Sequence, residues 1–451
     1  MEFSGKRVLI VGMALSGISS AERLKKLKSD VTIVDCANSP ELVKRAGELD
    51  KRGIGSRLGP HLHSDLDEKD LVVVSPGIPS NNTLIVEAKK RNIPVWSEIE
   101  LACRLTKSPI IGISGTNGKT TTTVLVGEIF KEAGRRSAVA GNIGFPLARA
   151  VDATPDTVFI VELSSFQLQN IERFRPHISV LLNITEDHLD WHPDFADYVR
   201  AKSRLFLNQT ESDFAVMNFD DQIVADISSS LESSVIPFSK YRKFERGIFL
   251  DNGKIIAVLD EREEICSLDE LKIRGEHNID NAMAAVAVSM IMGIPALAIR
   301  EALRKFKGIE HRIEFVAAVD SVEYFNDSKA TNPDATVKAL GSFSSPIVLL
   351  AGGRNKGNSF SGLASAIRRS ARAAILFGEA AGEIQPLIKN SDLTVVRVET
   401  VPEAVKEARN LSRQGDTVLF SPACASFDQF SSYKERGHVF KDAVANLEKR
   451  Q

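Results

Sequence analysis

Short apolar runs alternate with segments of helical spacing along most of the 451-residue chain. This alternation is typical of α/β proteins, in which the strands of a largely parallel sheet are joined by helices. A chain of this length forms about three domains at ordinary domain sizes. We place the bounds near residues 97 and 308, which gives three predicted sections: 1–97, 98–308 and 309–451.

The predicted elements repeat in each section. In the first section, the expected strands are Arg7–Val11, Val31–Asp35, Leu71–Ser75 and Asn92–Trp96. In the second, strands are expected at Ser108–Ile113, Thr157–Glu162 and Ile178–Asn183, with helices from Thr120, over Phe195–Leu207 and over Asn278–Met292. A β-rich stretch at 213–259 interrupts this pattern. In the third, strands are expected at Ser345–Ala351, Ala373–Phe377 and Thr417–Ser421.

Composition narrows the class of protein. Charged residues make up 26% of the chain and the formal net charge is only −2, so no global field attracts nucleic acid or acidic membranes. The four cysteines lie far apart without a C-x-x-C pair, which argues against a zinc site or a disulfide framework and fits a reducing compartment. There is neither a signal-peptide pattern nor an apolar stretch of membrane-spanning length. We expect a cytoplasmic protein without nucleic-acid partners or membrane insertion.

The segment GISGTNGKTTTT, Gly112–Thr123, predicts a phosphate-binding loop between a strand and a helix. Small residues let backbone N–H groups turn toward phosphate, and the helix N-terminus and a lysine add positive charge. A hydroxyl directly after the lysine suits a phosphate-bound Mg²⁺. Ile113 stands where the standard loop has glycine, so the loop is a variant. The expected triphosphate contacts are Gly115, Thr116, Asn117, Gly118, Lys119, Thr120 and Thr121. A plain glycine turn with a solvated lysine is the alternative.

The first section carries a G-x-A-x-x-G variant of the dinucleotide fingerprint at Gly12–Gly17, and Asp35 ends the next strand. A second glycine turn, Ser75–Ile78, follows the third strand. Both turns are expected at the carboxyl edge of the sheet, where such sheets bind ligands. The pattern predicts a Rossmann-like domain with a site for a phosphate-bearing nucleotide. NAD binding and two purely structural turns stay open as alternatives.

Acidic and imidazole side chains follow strands of the second section. Glu162 ends one strand, and His188 comes shortly after Asn183 at the end of another. The carboxyl ends of parallel strands meet at the edge that carries the phosphate loop, where a carboxylate and a neutral imidazole suit Mg²⁺. A helix cap and a structural histidine are the alternatives. Spacing alone places Lys202 on a solvated helix face.

Several strings together resemble the Mur ligases of peptidoglycan synthesis, which are ATP-dependent amide-forming enzymes. The order and spacing match over essentially the whole chain. The strings are GTNGKTTTT, Gly141–Gly144, ELSSFQL from Glu162, NITEDHLD from Asn183, GEHNIDNA from Gly275, Glu310–Arg312, DSKATNP from Asp327, Gly352–Gly357 and SPACASFDQF from Ser421. The last string resembles the D-glutamate-adding branch. Asp334 replaces the arginine of the Asp-Asn-Pro-Arg string in the diamino-acid-adding branch.

The resemblance implies an α/β fold of three domains: an N-terminal Rossmann-like domain, a central P-loop ATP-binding domain and a C-terminal Rossmann-like domain. It also implies a reaction in which ATP phosphorylates the carboxylate of UDP-N-acetylmuramoyl-L-alanine to an acyl phosphate. The amine of D-glutamate then attacks, and phosphate leaves. Because negative charge accumulates at one place, positioned cations such as Lys119 and Mg²⁺ do most of the catalysis.

The resemblance assigns Mg²⁺ to Glu162, His188 and Lys202, with Lys202 carbamylated by CO₂ to N6-carboxylysine, and the loop motif adds the hydroxyl of Thr120. An ammonium group beside Mg²⁺ would be repelled, whereas its carbamate is an anion that binds the metal. Since only the neutral amine reacts with CO₂, the site must favour loss of the Lys202 proton. The expected catalytic set is Lys119, Glu162, His188 and Lys202.

The remaining positions carried over by the resemblance form three groups. Further ATP contacts are expected at Asn278, Arg312 and Asp327, the last toward ribose hydroxyls. The UDP-muramoyl-alanine site is expected at Leu15, Ser16, Asp35, Ser75, Gly77, Asn142 and His188. The D-glutamate site is expected at Lys329, Thr331, Lys356, Ser426, Phe427 and Tyr433. Two positions depart from the family: Ala37 replaces a frequent arginine, and Tyr433 replaces a frequent phenylalanine.

Three competing functions are weighed against this one. A folate-type polyglutamate ligase would not explain the separate N-terminal nucleotide section. A dehydrogenase would rest on Gly12–Gly17 alone and leave Lys119 unexplained. A non-catalytic P-loop switch would need neither Lys202 nor the glutamate pocket. We expect small-molecule substrates and a monomer.

Overall fold

The computed structural model describes residues 3–151, 156–188, 191–273, 275–343, 345–389 and 393–448. The chain separates into two compact units. The first comprises residues 1–184, 194–266 and 282–302, and the second comprises 185–193, 267–281 and 303–451. Two sheets belong to the first unit and one sheet to the second. No helix in the described ranges is both long and apolar enough to cross a bilayer.

The first sheet is wholly parallel, with strand order β3-β2-β1-β4-β5. Its strands are β1 (Arg7–Val11), β2 (Asp30–Asp35), β3 (Gly55–Leu58), β4 (Leu71–Val74) and β5 (Val95–Ser97), with helices α1 (Leu15–Lys26), α2 (Pro40–Lys51) and α3 (Thr83–Lys90). The chain changes direction across the sheet between β1 and β4. That is the topological switch point, where open α/β sheets bind ligands.

The second sheet has nine strands in the order β14-β13-β12-β11-β10-β9-β6-β8-β7. Its strands are β6 (Ile110–Ser114), β7 (Ser137–Gly141), β8 (Val158–Glu162), β9 (Ile178–Leu181), β10 (Phe214–Asn218), β11 (Ser234–Ser239), β12 (Gly247–Asp251), β13 (Lys254–Val258) and β14 (Arg262–Ser267). Strand β6 runs parallel to both β8 and β9. The helices are α4 (Glu98–Leu105), α5 (Lys119–Glu132), α6 (Leu147–Ala150), α7 (Ser165–Leu168), α8 (Phe195–Ser203), α9 (Gln222–Ser228), α10 (Glu276–Ile291) and α11 (Ala296–Lys305).

The third sheet has the order β15-β16-β20-β17-β18-β19, and only β15 is antiparallel to its neighbour. Its strands are β15 (Glu314–Val319), β16 (Val322–Asn326), β17 (Ile347–Gly352), β18 (Ala371–Phe377), β19 (Thr394–Arg397) and β20 (Thr417–Ala423). The helices are α12 (Pro333–Leu340), α13 (Ser361–Ser370), α14 (Ala381–Ile388), α15 (Val401–Leu411) and α16 (Tyr433–Glu448). Apolar clusters fill both faces of this sheet.

The predicted α/β class is confirmed, while several element bounds are wrong. Helix α8 ends at Ser203 and continues as a 3₁₀ turn to Phe206, short of the predicted Leu207. Strand β9 ends at Leu181, because the next residues turn to meet the phosphate loop. Strand β5 begins only at Val95, after the proline. The hairpin β15–β16 was not predicted.

Helix α4 ties the first sheet to the second within the first unit. The buried carboxylate of Glu100 accepts backbone N–H bonds from Glu172, Arg173 and Phe174 at 2.7–3.0 Å. It also accepts a 2.7 Å bond from Nε of Arg104, one helical turn on. Because charge-assisted bonds to a buried carboxylate are strong and directional, this cluster fixes the linker between the two sheets.

Candidate active site

The predicted phosphate loop joins β6 to α5 in the centre of the second sheet. Gly118 precedes the helix with a φ of +89°, a conformation that only glycine adopts without strain. It has no side chain to cap the helix, and the first turn holds no acidic residue. The N-terminal end of α5 therefore keeps the positive potential that suits phosphate.

Two lysines converge on this loop. Nζ of Lys119 donates to the carbonyl oxygens of Gly115 at 2.7 Å and Thr116 at 2.8 Å. Nζ of Lys202, from α8, donates to the same Gly115 oxygen at 2.8 Å. Lys202 is only 1% exposed, so the solvated face indicated by helical spacing is wrong. Its hydrogen bond to Gly115 shows that the side chain points toward the loop.

Polar contacts from neighbouring elements hold the loop in shape. Asn183, just beyond β9, receives the Asn117 N–H at Oδ1 (2.8 Å) and donates through Nδ2 to the Asn117 carbonyl at 3.0 Å. Hydroxyls of Thr116 and Tyr198 lie 3.1 Å apart. Sequence reasoning gave no role to Tyr198. Tyr198 lies one helical turn before Lys202, and this spacing was the signal in the sequence that the two side chains share a helix face.

Glu162 stands at the carboxyl end of β8 and is 2% exposed. Nδ2 of Asn142 donates to its Oε1 at 2.9 Å, and the Asn142 N–H donates to its carbonyl. Its Oε2 is buried without a hydrogen-bond partner. A buried carboxylate oxygen with no donor is costly unless a cation completes it, so Glu162 fits the predicted Mg²⁺. Thr120 and Thr121 are buried in the first turn of α5.

The turns at the switch point of the first sheet pack closely. Gly12 has φ +101°, and a Cβ there would lie 2.9 Å from the Cβ of Ser75. The Ser75 hydroxyl donates to the Gly12 carbonyl at 3.0 Å. Asp35 accepts the N–H of Met13 at Oδ2 (2.8 Å) and that of Ala37 at Oδ1 (3.0 Å). Asp35 therefore shapes the turn after β1, whatever else it binds.

The other residues predicted for this nucleotide site lie around the same turns. Leu15 opens α1 and is largely exposed, Ser16 follows it half-buried, and Gly77 is exposed after β4. The preceding Ala14 offers no side-chain cap to α1. The structure thus brings Leu15, Ser16, Asp35, Ser75 and Gly77 together at one sheet edge.

In the second unit, the predicted residues of the third section also follow parallel strands. Because β16, β20 and β17 are adjacent and parallel, the segments after them meet at one edge. Asp327, Lys329 and Thr331 follow β16. Lys356 follows β17, and Ser426 and Phe427 follow β20. Ser426 is buried and Phe427 is 64% exposed.

The carboxyl group of Asp327 is buried and bonded at both oxygens. The Ser421 hydroxyl donates to Oδ2 at 2.7 Å and the Ile313 N–H to Oδ1 at 3.2 Å. Burial raises the pKa of Asp327 to about 7, although Ser421 and the Arg312 charge oppose the rise. Asn278, on α10, accepts at Oδ1 from Asn281 at 2.9 Å. The ribose role of Asp327 stays a prediction.

Arg436 is fully buried beneath these segments and was missed by sequence reasoning. Its guanidinium donates to the hydroxyl and the carbonyl of Ser328, at 3.0 and 2.8 Å, and to the Cys424 carbonyl at 3.0 Å. It therefore braces the strings that hold Lys329 and Ser426. In the sequence it looks like any arginine on a helix. Nζ of Lys329 lies 5.8 Å from the ring centre of Tyr433.

His188 belongs to the second unit, whereas Lys119, Glu162 and Lys202 lie in the first. Its backbone is left-handed, with φ +55°, and its N–H donates to Oδ1 of Asp187 at 2.9 Å. The two motif residues that follow it, 189 and 190, lie outside the described residues. The structure brings Lys119 and Lys202 together on the loop within the first unit, and His188 is described with the second.

Comparison with known proteins decides the family. A curated UDP-N-acetylmuramoylalanine–D-glutamate ligase of Pelotomaculum thermopropionicum is 44% identical over 451 residues, which is 99% of both chains. One with the same name from Clostridioides difficile is 42% identical over 450 residues, 99% of this chain and all of that one. The chain belongs to the Mur ligase family.

Family models cover each section of this Mur ligase in turn. The MurD-like N-terminal domain matches residues 6–97, the Mur ligase middle domain matches 113–289, and the glutamate ligase domain of Mur ligases matches 311–424. The predicted family is confirmed. The chain is an ATP-dependent ligase that forms amide bonds, and the dehydrogenase and switch alternatives fall away.

Solved structures show the same fold at low identity. A pseudomurein peptide ligase type C from Methanothermus fervidus gives a TM-score of 0.62 at 20% identity, covering 98% of this Mur ligase and all of that chain. The UDP-N-acetylmuramate–alanine ligase MurC from Thermotoga maritima gives 0.61 at 20% identity, covering 99% of this chain and all of that one. The three-domain α/β architecture predicted from the sequence is thereby confirmed.

Proposed function

We propose that the protein adds D-glutamate to UDP-N-acetylmuramoyl-L-alanine in an ATP-dependent reaction. The product is UDP-N-acetylmuramoyl-L-alanyl-D-glutamate, with ADP and phosphate released. The observation that carries the proposal is the convergence of Lys119, Lys202 and Glu162 around one phosphate loop, in a chain that matches D-glutamate ligases end to end. A loop with two cations and a buried carboxylate suits phosphoryl transfer to a carboxylate.

The first unit holds the phosphate and carboxylate chemistry in this proposal. Lys119 and the N-terminal end of α5 bind the transferred phosphoryl group, and ATP supplies that group. Glu162, with its buried Oε2, would hold Mg²⁺, and Thr120 and His188 are the other ligands in the proposal. Asn142, which donates to Glu162, is the proposed contact for the muramoyl-alanine end of the substrate. Asn278, Arg312 and Asp327, in the second unit, are further proposed ATP contacts.

Lys202 is the proposed N6-carboxylysine. Its nitrogen is buried and shares an acceptor with Lys119. CO₂ reacts with the neutral form of this amine. A carbamate there is an anion beside Lys119, so it relieves the repulsion and offers oxygen to Mg²⁺.

Recognition of D-glutamate is assigned to the carboxyl edge of the third sheet. A dicarboxylate needs at least two anion-binding groups, and Lys329 and Lys356 supply them. Thr331, Ser426, Phe427 and Tyr433 line the pocket. We further propose that the protein acts in the cytoplasm as a monomer on small-molecule substrates.

A single assay tests the function. Phosphate release from ATP is measured with UDP-N-acetylmuramoyl-L-alanine and, in turn, D-glutamate, L-glutamate or a diamino acid. We expect release only with D-glutamate, and a rise in the D-glutamate KM of roughly tenfold or more in K356M, about 1.4 kcal/mol. The matched control is Lys338→Met, at a lysine of α12 that forms an ion pair with Asp334. Release that ignores the amino acid would refute the ligase, and preference for L-glutamate would refute the stereochemistry.

A further inference from the structure

The loop that carries His188 is tied by side chains to the segment before α12. Nδ2 of Asn332 donates to Oδ2 of Asp187 at 3.1 Å, and both residues are buried, at 8% and 6% exposed. The Thr185 hydroxyl donates to Oδ2 of Asp334 at 3.2 Å. All of these residues belong to the second unit, although β9, from which the loop emerges, belongs to the first.

A buried carboxylate is costly unless its oxygens are bonded. Asp187 has its oxygens occupied by the backbone N–H of His188 and by the amide of Asn332. The imidazole Nε2 of His188 lies 3.7 Å from Oδ2, beyond hydrogen-bond range. The carboxylate thus links the His188 backbone to Asn332 rather than neutralising the imidazole.

The His188 backbone needs such a link. A non-glycine residue at φ +55° is strained and persists only where its surroundings hold it. The N–H groups of Trp191 and His192 both return to the His188 carbonyl, so the residue is held on both sides. Asn332 is itself fixed, because its Oδ1 caps α12 through the N–H of Ala335 at 2.8 Å.

We propose that Asp187 is a positioning residue for His188, and that Asn332 sets its position from the amino-acid-binding region. Asn332 directly follows Thr331 and lies three residues after Lys329, both assigned to D-glutamate. The metal-binding histidine is therefore held by the segment that binds the incoming amino acid. This inference rests on the proposed function, since that assigns Mg²⁺ to His188 and D-glutamate to Lys329 and Thr331.

The pair permits an exchange of side chains. Asn332→Asp keeps the cap on α12 but sets two carboxylates against each other. Asp187→Asn keeps an acceptor for the His188 N–H but sets two amides together. The double variant, with asparagine at 187 and aspartate at 332, restores one hydrogen bond with its direction reversed. Double-mutant cycles of this kind isolate the interaction of the pair.

Two readouts on the full-length protein test the proposal. Amide hydrogen exchange over residues 184–193 needs no turnover, and the Mg²⁺ concentration for half-maximal activity reports on the site. Each single variant should exchange at least tenfold faster in this segment and need roughly tenfold more Mg²⁺. The double variant should recover most of both. Thr185→Val, which removes the neighbouring bond to Asp334, should have a smaller effect in the same direction.

Two results would overturn the inference. One is that exchange and Mg²⁺ dependence in both single variants stay at wild-type values. The other is that both readouts change in the single variants without recovery in the double variant, which would mean that the charge of Asp187 matters and its bond to Asn332 does not. His188→Ala separates this from the proposed function: if its Mg²⁺ dependence is that of wild type, the metal role of His188 fails irrespective of the exchange results.

Discussion

Lys119 and Lys202 place their ammonium nitrogens on one acceptor, the carbonyl oxygen of Gly115, at 2.7 and 2.8 Å. Two positive charges held this close repel by roughly 3 kcal/mol in a partly buried site. Lys202 is the more constrained of the two, since it is fully buried beside the ring of Tyr198. Conversion of Lys202 to a carbamate turns this repulsion into attraction.

The first prediction concerns this pair. Lys202→Ala should lower kcat by at least ~100-fold, about 2.7 kcal/mol in barrier, because the proposed carbamate, an anion beside the metal, is lost. A short carboxylic acid such as acetate should restore part of the activity by occupying the space. The measurement is kcat against acetate concentration, with ¹³C NMR of wild type under ¹³CO₂ for the carbamate carbon.

Arg200→Ala is the control for this experiment. Arg200 lies on the same helix but is exposed and paired with Asp197, so its loss should leave kcat and the acetate response unchanged. Full activity of Lys202→Ala without added acid would contradict the carbamate role.

The second prediction concerns Glu162. Glu162→Gln retains an acceptor for Asn142 and removes one anionic oxygen. Since Oε2 of Glu162 has no hydrogen-bond partner, its replacement breaks no hydrogen bond, and the variant should be no less stable than wild type, to within ~1 kcal/mol. Its kcat should fall at least ~100-fold, with a higher Mg²⁺ requirement.

Kinetics against Mg²⁺ concentration and urea midpoints check both parts of this prediction. Glu128→Gln, at an exposed position of α5, should match wild type in each. Unchanged Mg²⁺ dependence in Glu162→Gln would remove Glu162 from the metal site. A large loss of stability would instead mean that its charge is structural.

Individual strands show how much of the fold can be predicted from the sequence. The bounds of strands β1 and β8 were predicted almost to the residue. A short apolar run bounded by polar residues indicates a buried strand. The hairpin β15–β16 was missed. Its strand β15 is mostly half-buried, and its turn places Asp320 and Ser321 at positive φ without the usual glycine.

The candidate active site also contains residues that can be predicted from the sequence and contacts that cannot. Residues in a local motif, such as Gly118 and Lys119, are readable because the loop is contiguous in sequence. The bond between Asn142 and Glu162 depends on β7 lying beside β8, which no local pattern encodes. Burial of Lys202 depends on how α8 packs, and its helical neighbours Arg200 and Arg204 look the same in the sequence.

The third prediction concerns Asp35. Asp35→Asn can accept only one of the two backbone N–H bonds from Met13 and Ala37, and its amide then opposes the other. The turn after β1 should loosen, raising the KM for UDP-N-acetylmuramoyl-L-alanine roughly tenfold, about 1.4 kcal/mol. The KM values for ATP and D-glutamate should not change.

Steady-state kinetics with each substrate varied in turn checks this prediction, and Asp30→Asn at the exposed start of β2 is the control. If all three KM values rise together, the change is a general loss of structure. If none rises, Asp35 does not shape the nucleotide site.

The fourth prediction concerns Glu98, the first residue of α4. Its Oε1 accepts the N–H of Ala148, its Oε2 is buried without a partner, and burial raises its pKa to about 7 from 4.5. Between these values the folded protein holds a proton that the unfolded chain has lost. The contribution of Glu98 to stability is therefore present below pH 4.5 and is lost as the pH rises to 7, by about 1.4 kcal/mol per pH unit.

Glu98→Gln cannot ionise, so it should lack this loss. We expect the urea midpoint of the variant to rise relative to that of wild type from pH 5 to pH 7, and the difference to stay constant at pH 8. Glu48→Gln, exposed on α2, should follow wild type at every pH. If the urea midpoints of Glu98→Gln and wild type change in parallel from pH 5 to pH 8, Glu98 does not keep its proton on folding.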